Sequence, residues 1–507
     1  MIFDENHKKG LQMIREINAE QGQLFATPFE QELDLDNRWI KFSKILPWNK
    51  LSGYYYSRMD KKMGAGAIDA RIVLGALIIK HHEDLSDEGT IESIRENLYM
   101  QYFLGLPSFK REAVFSPTLF VEIRKRLGLD YWQQINEIII KHNAPKNKDD
   151  REGEKMENKT DDVEKQKELT AAQPLNEGTI NIDATIVEQD IQYPTDLGIL
   201  NESREKLEEI IDKICLKTGQ EKPRTYRKTA RKKYLNVAKK KRRTHKEIRK
   251  AVGSQLNFVN RDLKCIETLL TEYPQRDWIL NKHELKYLQI VNEVYRQQKE
   301  MHINRIHSVA NRIVSIHQPH VRPMVRGKAG SDVEFGSKIG VCVHNGITYL
   351  DHLSWDSYNE TEDLKTSVEN YKKRNGYYPA KINADQIYIT RENRKWCIEK
   401  NILLNGKPLG RPTEQTKQRI KELRQAVGER NCVEGKFGQA KRWYGMGNIH
   451  AKLKATSESM IGAIVVVLNL IRLVQQHALT FVKFIKECLN TLIFRLLYLR
   501  KNEPLFE

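Results

Sequence analysis

The sequence predicts a mixed α/β domain that carries a large helical insertion and follows a mainly helical domain. Residues 179–187 alternate between isoleucine or valine and other side chains, which is typical of a strand, and Asp183 projects from the face opposite the isoleucines. Asn345-Gly346 stands between two further runs of this kind. That pattern predicts two strands joined by a type I′ hairpin turn, in which both turn residues adopt positive φ.

The elements after the hairpin are predicted from the same periodicities. A helical stretch at 361–374 precedes a strand at 379–388 with Asp385 near its end, and a further helix precedes a short strand at 402–404. The next helix carries Glu434. Three acids therefore fall on separate elements of one domain, although each could instead be a surface carboxylate or a turn residue, the commoner role of Asp and Glu.

The helix with Glu434 also carries two cations at helical spacing. Arg430 lies four residues before Glu434 and Lys441 seven residues after it, so all three side chains share one face. A carboxylate flanked by two phosphate-seeking cations suits a metal ion and a nucleic-acid backbone. The alternative is a charged helix face that is only solvated.

These motifs resemble those of the DDE transposases of bacterial insertion sequences. The Arg-x3-Glu-x6-Lys core resembles the signature of their last acid, and Ala384-Asp385-x-x-Tyr388 resembles the motif of their second acid. The order of elements is similar to their RNase H-like catalytic domain. The family signature opens with Tyr three residues before the Arg, where this chain has Val427. Further similar segments lie at 192–198, 325–330, 353–359, 409–412 and 447–453.

The resemblance implies a mechanism and its cofactor. Asp183, Asp385 and Glu434 would be the catalytic residues and would hold two divalent ions about 4 Å apart, for cleavage of DNA and joining of the freed 3′ hydroxyl to target DNA. Carboxylates without Cys or His ligands favour Mg²⁺, and Mn²⁺ can substitute. Arg430 and Lys441 would hold the phosphate beside the scissile bond. A homodimer in the synaptic complex is also implied.

The charge of the chain indicates a polyanionic partner, here double-stranded DNA. The net charge is +18 over 507 residues, and residues 217–250 contain sixteen Lys and Arg against two Glu, a net of +14. No aromatic ladder for single strands accompanies this stretch, so a solvated basic helix or a flexible tail is the alternative. The candidate phosphate contacts in it are Arg224, Arg227, Arg231, Lys239, Lys240, Lys241, Arg242 and Arg243.

The first 143 residues are expected to form a helical domain. Residues 90–105 predict a helix that ends at a glycine cap, and Ser116-Pro117 predicts the start of another. Two such helices across a short connection could form a helix-turn-helix with Arg124 and Lys125 at the DNA, the second helix lying in the major groove. A plain helical bundle is the alternative.

The remaining boundaries follow from composition and periodicity. Residues 144–178 alternate charges and predict a linker, and residues 179–455 form the catalytic domain. Its insertion, at about 197–322, contains two apolar stripes at 248–270 and 288–316 that predict an antiparallel helical hairpin. Helices in 456–507 are expected to pack on the catalytic domain.

Cysteine usage and hydropathy indicate a cytoplasmic, nucleoid-associated protein. The six cysteines form no Cys-x-x-Cys pair, the N-terminus lacks a signal peptide, and the apolar run at 460–471 is too short to cross a bilayer, so no membrane partner is expected. Two other functions remain open. One is a structure-selective DNA nuclease on the same fold, and the other is a non-catalytic DNA-binding relict, which Val427 leaves possible and the intact acids oppose.

Overall fold

The sheet at the centre of the molecule has six strands within the described residues. The computed structural model describes residues 33–59, 68–144, 176–271, 273, 278–328, 331–406 and 420–501. Its strands are β1 (Thr179–Glu188), β2 (Arg322–Lys328), β3 (Ser331–His344), β4 (Ile347–Ser354), β5 (Lys381–Ala384) and β6 (Leu403–Asn405). They run in the order β2-β3-β1-β5-β6, and β4 also pairs with β3. The predicted mixed α/β architecture is confirmed at this level.

The pairing of β1 makes the sheet mixed. It runs antiparallel to β3, with Asp183 opposite Val341, and parallel to β5, with Ile182 opposite Ala384. Alternate residues of β1 point to opposite faces, and both faces are covered. Ile180 and Ile182 pack with the helix after β4, whereas Val187 packs with the two last helices of the chain.

The predicted hairpin is confirmed. β3 and β4 pair antiparallel as far as His344 and Ile347, and the two residues between them, Asn345 and Gly346, have φ of 51° and 79°. Positive φ at both central residues is the requirement of a type I′ turn, and Asn and Gly tolerate it best.

The strand before Asp385 is shorter than expected. It ends at Ala384, because the carboxylate of Asp385 accepts a hydrogen bond from the backbone N–H of Gln386 at 2.7 Å and so starts a 3₁₀ helix, Gln386–Tyr388. A second 3₁₀ helix, Glu360–Glu362, precedes the helix that follows β4. The second acid therefore lies just past the end of its strand.

Seven helices of the described N-terminal region form one apolar core. They are α1 (Arg38–Ile45), α2 (Trp48–Ser57), α3 (Ala70–His82), α4 (Asp87–Glu96), α5 (Leu98–Phe103), α6 (Leu119–Arg126) and α7 (Leu129–Asn143). The single helix predicted at 90–105 is divided at Asn97, whose side chain accepts from Tyr99 and Met100 N–H and caps α5. Residues 104–118 then form a long connection to α6, in place of the short one expected for a helix-turn-helix.

The insertion forms a helical bundle with its own apolar core. It contains α8 (Asp196–Thr218), α9 (Arg227–Ala238), α10 (His245–Thr271) and α11 (Lys282–Asn304). The prediction of a two-helix hairpin is corrected, because α10 packs on α8 as well as on α11. The second stripe also ends early. Helix α11 stops before Arg305, which has a left-handed φ of 57°, and residues 306–316 follow without helical structure.

Four further helices follow within the described part of the domain, and the last two cover one face of the sheet. They are α12 (Asp363–Asn375), α13 (Arg391–Glu399), α14 (Ile420–Trp443) and α15 (Lys454–Lys501). The structure corrects the prediction of several C-terminal helices, because α15 is continuous. Residues 454–480 are long and apolar enough to cross a membrane by composition, but 72% of the apolar window is buried against the protein, as in the core helix of a globular protein.

Helix α15 joins the N-terminal helices to the sheet. Trp132 of α7 donates its indole N–H to Ser459 Oγ at 2.9 Å and is 1% exposed. Asn469 donates to Asn136 Oδ1 at 2.8 Å and to the backbone oxygen of Thr348 in β4 at 2.7 Å. Three elements far apart in sequence thus share one buried polar network, in which unmet hydrogen bonds would be costly.

Candidate active site

Asp183 and Asp385 lie side by side at the edge between β1 and β5. The two strands are parallel, and the last pair in register is Ile182 with Ala384, so each aspartate is the next residue of its chain. Neighbouring strands lie about 4.8 Å apart. The side chain of Asp183 is 15% exposed, whereas Asp385 is exposed where β5 ends. The structure therefore brings together the first two predicted acids.

Helix α14 carries the third acid to the same face of the sheet. Val433 and Ala440 of this helix are fully buried in a cluster that contains Val341, the neighbour of Asp183 on β3. This packing sets Arg430 over Asp183, with Nη1 3.1 Å from Asp183 Oδ2 and Nη2 3.3 Å from Glu434 Oε1. A single guanidinium thus bridges the first and third predicted acids.

A row of hydrogen-bonded asparagines fixes the position of α14 along the strands of the sheet. Asn405 of β6 donates to Asn383 Oδ1 at 2.7 Å, and Asn383 donates to Asn181 Oδ1 at 2.9 Å. Asn181 and Asn383 lie on the acid-bearing face, two positions before Asp183 and Asp385 respectively. Glu429 of α14 completes the row, because its Oε2 accepts from Asn383 at 2.9 Å and from Lys381 at 3.0 Å. Glu429 directly precedes Arg430, so these bonds help to position it.

The electrostatic environment of Asp183 disfavours its charged form. Burial raises its pKa to about 6, and the charges of Asp385 and Glu360 add to this effect, while the Ala184 N–H and Arg430 oppose it. Burial of the carboxylate is the main cause of this shift. A bound divalent cation would favour the charged form of Asp183.

The donor set of this site fits a hard cation. Asp183, Asp385 and Glu434 offer carboxylate oxygens only, the ligands that Mg²⁺ and Mn²⁺ prefer. Within the described parts of the chain, however, no three Asp, Glu, His or Cys side chains stand close enough to hold an ion together. Between Asp183 and Glu434 the reason is Arg430, which contacts both carboxylates.

The raised pKa of Asp183 predicts an effect on stability. The pKa of this Asp is near 3.8 in the unfolded chain and about 6 in the folded protein. Its contribution to the free energy of unfolding is therefore fully present below about pH 4 and is lost as the pH rises through 6. We expect metal-free Asp183→Asn to exceed the wild type in free energy of unfolding at about pH 8 by on the order of 1–3 kcal/mol. Thermal denaturation in a chelator from about pH 4 to 8 measures this.

The control for this measurement is Glu188→Gln, at the exposed end of the same strand. It should show no comparable pH-dependent gain. A constant difference between Asp183→Asn and wild type across the pH range would mean that the charge of Asp183 is not the cause.

The other two signature positions also lie on α14. Lys441 is partly buried in the last turns of the helix, on the face that carries Glu434. Val427, which stands at the position of the family's Tyr, is 56% exposed one turn before Arg430. The larger ring that the signature has there would therefore meet solvent.

The predicted DNA contacts of the insertion divide into two groups. Arg227 is partly buried in the bundle, where it pairs with Asp212 at 2.7 Å and with Glu208 at 3.3 Å. The others are exposed before α9, on α9 and on the loop that joins it to α10, and they are Arg224, Arg231, Lys239, Lys240, Lys241, Arg242 and Arg243. Among them, Lys240 pairs with Glu247 at 2.6 Å. The guanidinium of Arg224 lies 4.6 Å from the ring centroid of Tyr226.

The two cations predicted for the N-terminal domain also differ. Arg124 is 7% exposed and binds both carboxylate oxygens of Asp87 at 2.7 Å, so the structure assigns it to an internal ion pair and not to DNA. Arg124 does not face solvent because it lies on the side of helix α6 that packs toward α4. Lys125, the next residue, is exposed and pairs with Glu122 at 2.7 Å.

Sequence reasoning missed three polar residues at this site. Glu360 acts on the charge of Asp183, and Glu429 and Asn383 hold α14 to the sheet. Glu360 directly follows the similar segment at 353–359, which is the one sequence feature that could have drawn attention to it. The row of asparagines leaves no local pattern, because its members are joined only by strand pairing.

Comparisons with known proteins match two parts of the chain. A family described as "Transposase DDE domain" matches residues 382–471, which contain Asp385 and all of α14, and a family described as "Transposase domain (DUF772)" matches residues 27–126. A curated relative, "Uncharacterized protein ORF8 in nfe locus" of Rhizobium meliloti, is 27% identical over 161 residues, which cover 31% of this chain and 64% of the relative. The chain thus spans less than two thirds of that relative's length.

No solved structure gives a significant match. The two family matches nevertheless fall at opposite ends of the chain, one on the N-terminal helices and one on the elements that carry the second and third acids. Both matched families are transposase families, and the acids, the arginine and the lysine stand in the order of the DDE signature. The two matches therefore support an insertion-sequence DDE transposase.

Proposed function

We propose that this transposase cleaves the ends of its element and joins them to target DNA, with Asp183, Asp385 and Glu434 as the catalytic acids of an RNase H-like domain. One observation carries the proposal. Asp183 and Asp385 follow the last registered pair of two parallel strands, and Arg430 links Asp183 to Glu434. Few structural needs would gather three acids and one arginine at a sheet edge.

The three carboxylates would hold the divalent cations, with Mg²⁺ as the natural ion and Mn²⁺ as a substitute. Bound cations would supply Lewis-acid activation of the attacking oxygen and stabilisation of the leaving oxygen. The burial of Asp183 keeps bulk water from one side of the site. Arg430 contacts two of the acids in the free protein and would contact a phosphate once they bind a cation. Lys441 would hold the DNA backbone nearby.

A strand-transfer assay tests this proposal. A labelled duplex that carries the terminal inverted repeat, identified in the DNA next to the coding sequence, is incubated with the protein, Mg²⁺ and a target plasmid. We expect the label to move to the plasmid. Cleavage of the duplex without joining would indicate a structure-selective nuclease, and binding without cleavage would indicate a relict.

The exposed basic residues of the insertion support double-stranded DNA as the partner. They belong to a stretch that carries a net charge of +14, and their side chains face solvent on α9 and the following loop. Phosphate contacts give affinity without sequence information. We propose that this surface holds DNA backbone, while Arg227 chiefly stabilises the bundle. The protein would act as a homodimer at the paired ends, at the nucleoid in the cytoplasm.

Neutralising the loop between α9 and α10 should weaken binding to all duplexes. The variant replaces Lys239, Lys240, Lys241, Arg242 and Arg243 with glutamine. We expect affinity for specific and random DNA to fall together, and the log-log salt dependence to become shallower by roughly 0.9 for each phosphate that the loop no longer neutralises. Titrations of both duplexes over a range of salt measure this.

The control removes the same number of charges from exposed residues outside the insertion, at Lys50, Lys141, Lys373, Arg391 and Lys395. It should change the salt slope much less. An unchanged slope in the loop variant would mean that the loop is only a solvated surface. Loss confined to the specific duplex would mean that the loop reads bases.

A further inference from the structure

Glu360 stands beside the second acid because two short helices are joined. Thr361 Oγ1 in the 3₁₀ helix Glu360–Glu362 donates to the backbone oxygen of Ile387 in the 3₁₀ helix Gln386–Tyr388 at 3.3 Å. Asn393 of α13 donates to the backbone oxygens of Thr361 and Tyr388, both at 3.0 Å. The 3₁₀ helix Gln386–Tyr388 begins at its cap, Asp385, so these bonds hold Glu360 near the end of β5, where the acids gather.

The carboxylate of Glu360 is held in one orientation. Its side chain is 21% exposed, and its Oε1 lies 2.8 Å from Nζ of Lys338 on β3. Lys338 is itself fixed, since it donates to the backbone oxygen of Tyr358 at 3.0 Å and lies 4.7 Å from the centroid of that ring. A charged group ordered in this way costs little further entropy when it binds a ligand.

Tyr388 gives an independent indication that a ligand atom belongs here. Its ring is fully buried, and its hydroxyl has no hydrogen-bond partner within the described residues. Burial and then the charges of Glu360, Asp183 and Asp363 raise its pKa, so the hydroxyl stays protonated. Leaving a buried hydroxyl unbonded costs about 1–3 kcal/mol, which a bound oxygen atom would recover.

The neighbouring Asp363 does not need this hydroxyl. Its Oδ1 lies 2.6 Å from His352 Nδ1, and its Oδ2 accepts from Tyr358 Oη at 2.7 Å. Asp363 also packs on Gly340, where a Cβ would meet Oδ2 at 2.6 Å. This carboxylate therefore has a structural role, which distinguishes it from Glu360.

We propose that Glu360 is a fourth carboxylate of the active site, which binds the cation held by Asp183 and Asp385 through a metal-bound water that also accepts from Tyr388. The inference rests on the proposed function. Mg²⁺ keeps several of its waters, and these need acceptors. Residues that orient such outer ligands commonly change metal affinity by 10- to 100-fold when they are replaced.

The test compares Mn²⁺ binding, followed by electron paramagnetic resonance, with the Mg²⁺ dependence of end cleavage. Glu360→Gln keeps the shape of the side chain and an oxygen for Lys338 but removes the charge. We expect its Mn²⁺ affinity to fall about 10- to 100-fold, with a matching rise in the Mg²⁺ needed for half-maximal cleavage and no change in DNA affinity. Tyr388→Phe should show a smaller loss in the same direction.

Matched variants distinguish this role from a structural one. Glu362→Gln, on the same 3₁₀ helix but exposed, should bind Mn²⁺ like wild type. Lys338→Met removes the ion-pair partner of Glu360 but keeps the carboxylate. If the carboxylate serves the cation, Mn²⁺ affinity should be unchanged or higher in this variant. If only the ion pair mattered, Lys338→Met would lose Mn²⁺ affinity as Glu360→Gln does. Glu360→Asp keeps the charge and should retain most of the Mn²⁺ affinity. This variant tests the role of the charge even if Glu360→Gln folds poorly.

Asp183→Asn separates failure of this inference from failure of the proposed function. If Asp183→Asn loses Mn²⁺ binding and Glu360→Gln retains it, the fourth carboxylate is refuted and the catalytic acids stand. If wild type itself binds no Mn²⁺, or if Asp183→Asn binds it normally, the proposed metal site is refuted as a whole.

Discussion

Asp183→Asn, Asp385→Asn and Glu434→Gln are each expected to abolish Mg²⁺-dependent cleavage of the element's end while leaving DNA binding intact. A metal ligand supplies several kcal/mol of transition-state stabilisation, and each 1.36 kcal/mol is a factor of ten, so the rate should fall by about 10³-fold or more. Single-turnover cleavage of a labelled end, with a mobility-shift assay in a chelator, measures the two effects separately.

Glu188→Gln is the control for these three substitutions, because Glu188 is an exposed acid on the strand of Asp183. It should cleave at the wild-type rate. Normal cleavage by any one of the three variants would remove that residue from the site. If Asp183→Asn lost activity only together with DNA binding, its role would be structural or electrostatic and not catalytic.

The second large effect is expected at Trp132, where the N-terminal helices meet α15. Trp132 packs closely on Gly462, since a Cβ added at that glycine would lie 2.7 Å from Trp132 Cβ. Its indole N–H donates a hydrogen bond to Ser459. Trp132→Ala should lower the free energy of unfolding by about 3–5 kcal/mol, because a buried ring is replaced by a cavity. Urea denaturation followed by circular dichroism measures the loss.

Trp278→Ala is the matched control, since Trp278 is 52% exposed in the insertion. It should cost much less stability than Trp132→Ala. The packing of α15 on both halves also predicts that Trp132→Ala destabilises the region of the acids along with the N-terminal helices. Separate transitions, with only the N-terminal helices affected, would mean that the two regions fold independently.

The local features of this protein were predictable from its sequence. The alternation of residues 179–187 predicted the first strand, and Asn345-Gly346 predicted the hairpin, because side-chain periodicity and positive φ depend only on neighbouring residues. Helical spacing also put Arg430 and Glu434 on one face of α14, where they form an ion pair at 3.3 Å. The family resemblance rested on the same short motifs, and the two transposase family matches agree with it.

Tertiary structure decided what each charged side chain touches. Arg124 belongs to a stretch that looks like a DNA-binding helix, yet it pairs with Asp87, thirty-seven residues away. Arg227 lies in the most basic stretch and is held by Asp212 and Glu208. Net charge and spacing cannot separate such cations from exposed ones, because burial is set by how helices pack.

The same physical reason explains the site itself. The sequence alone determined which strands and helices carry Asp183, Asp385 and Glu434, since each acid lies in a segment with a clear local pattern. Only the pairing of β1 with β5, about 200 residues apart in the chain, brought two of the acids together and aligned the asparagines that hold α14. Strand register depends on the packing of whole faces, so neither the bridge made by Arg430 nor the place of Glu360 could be predicted from local sequence.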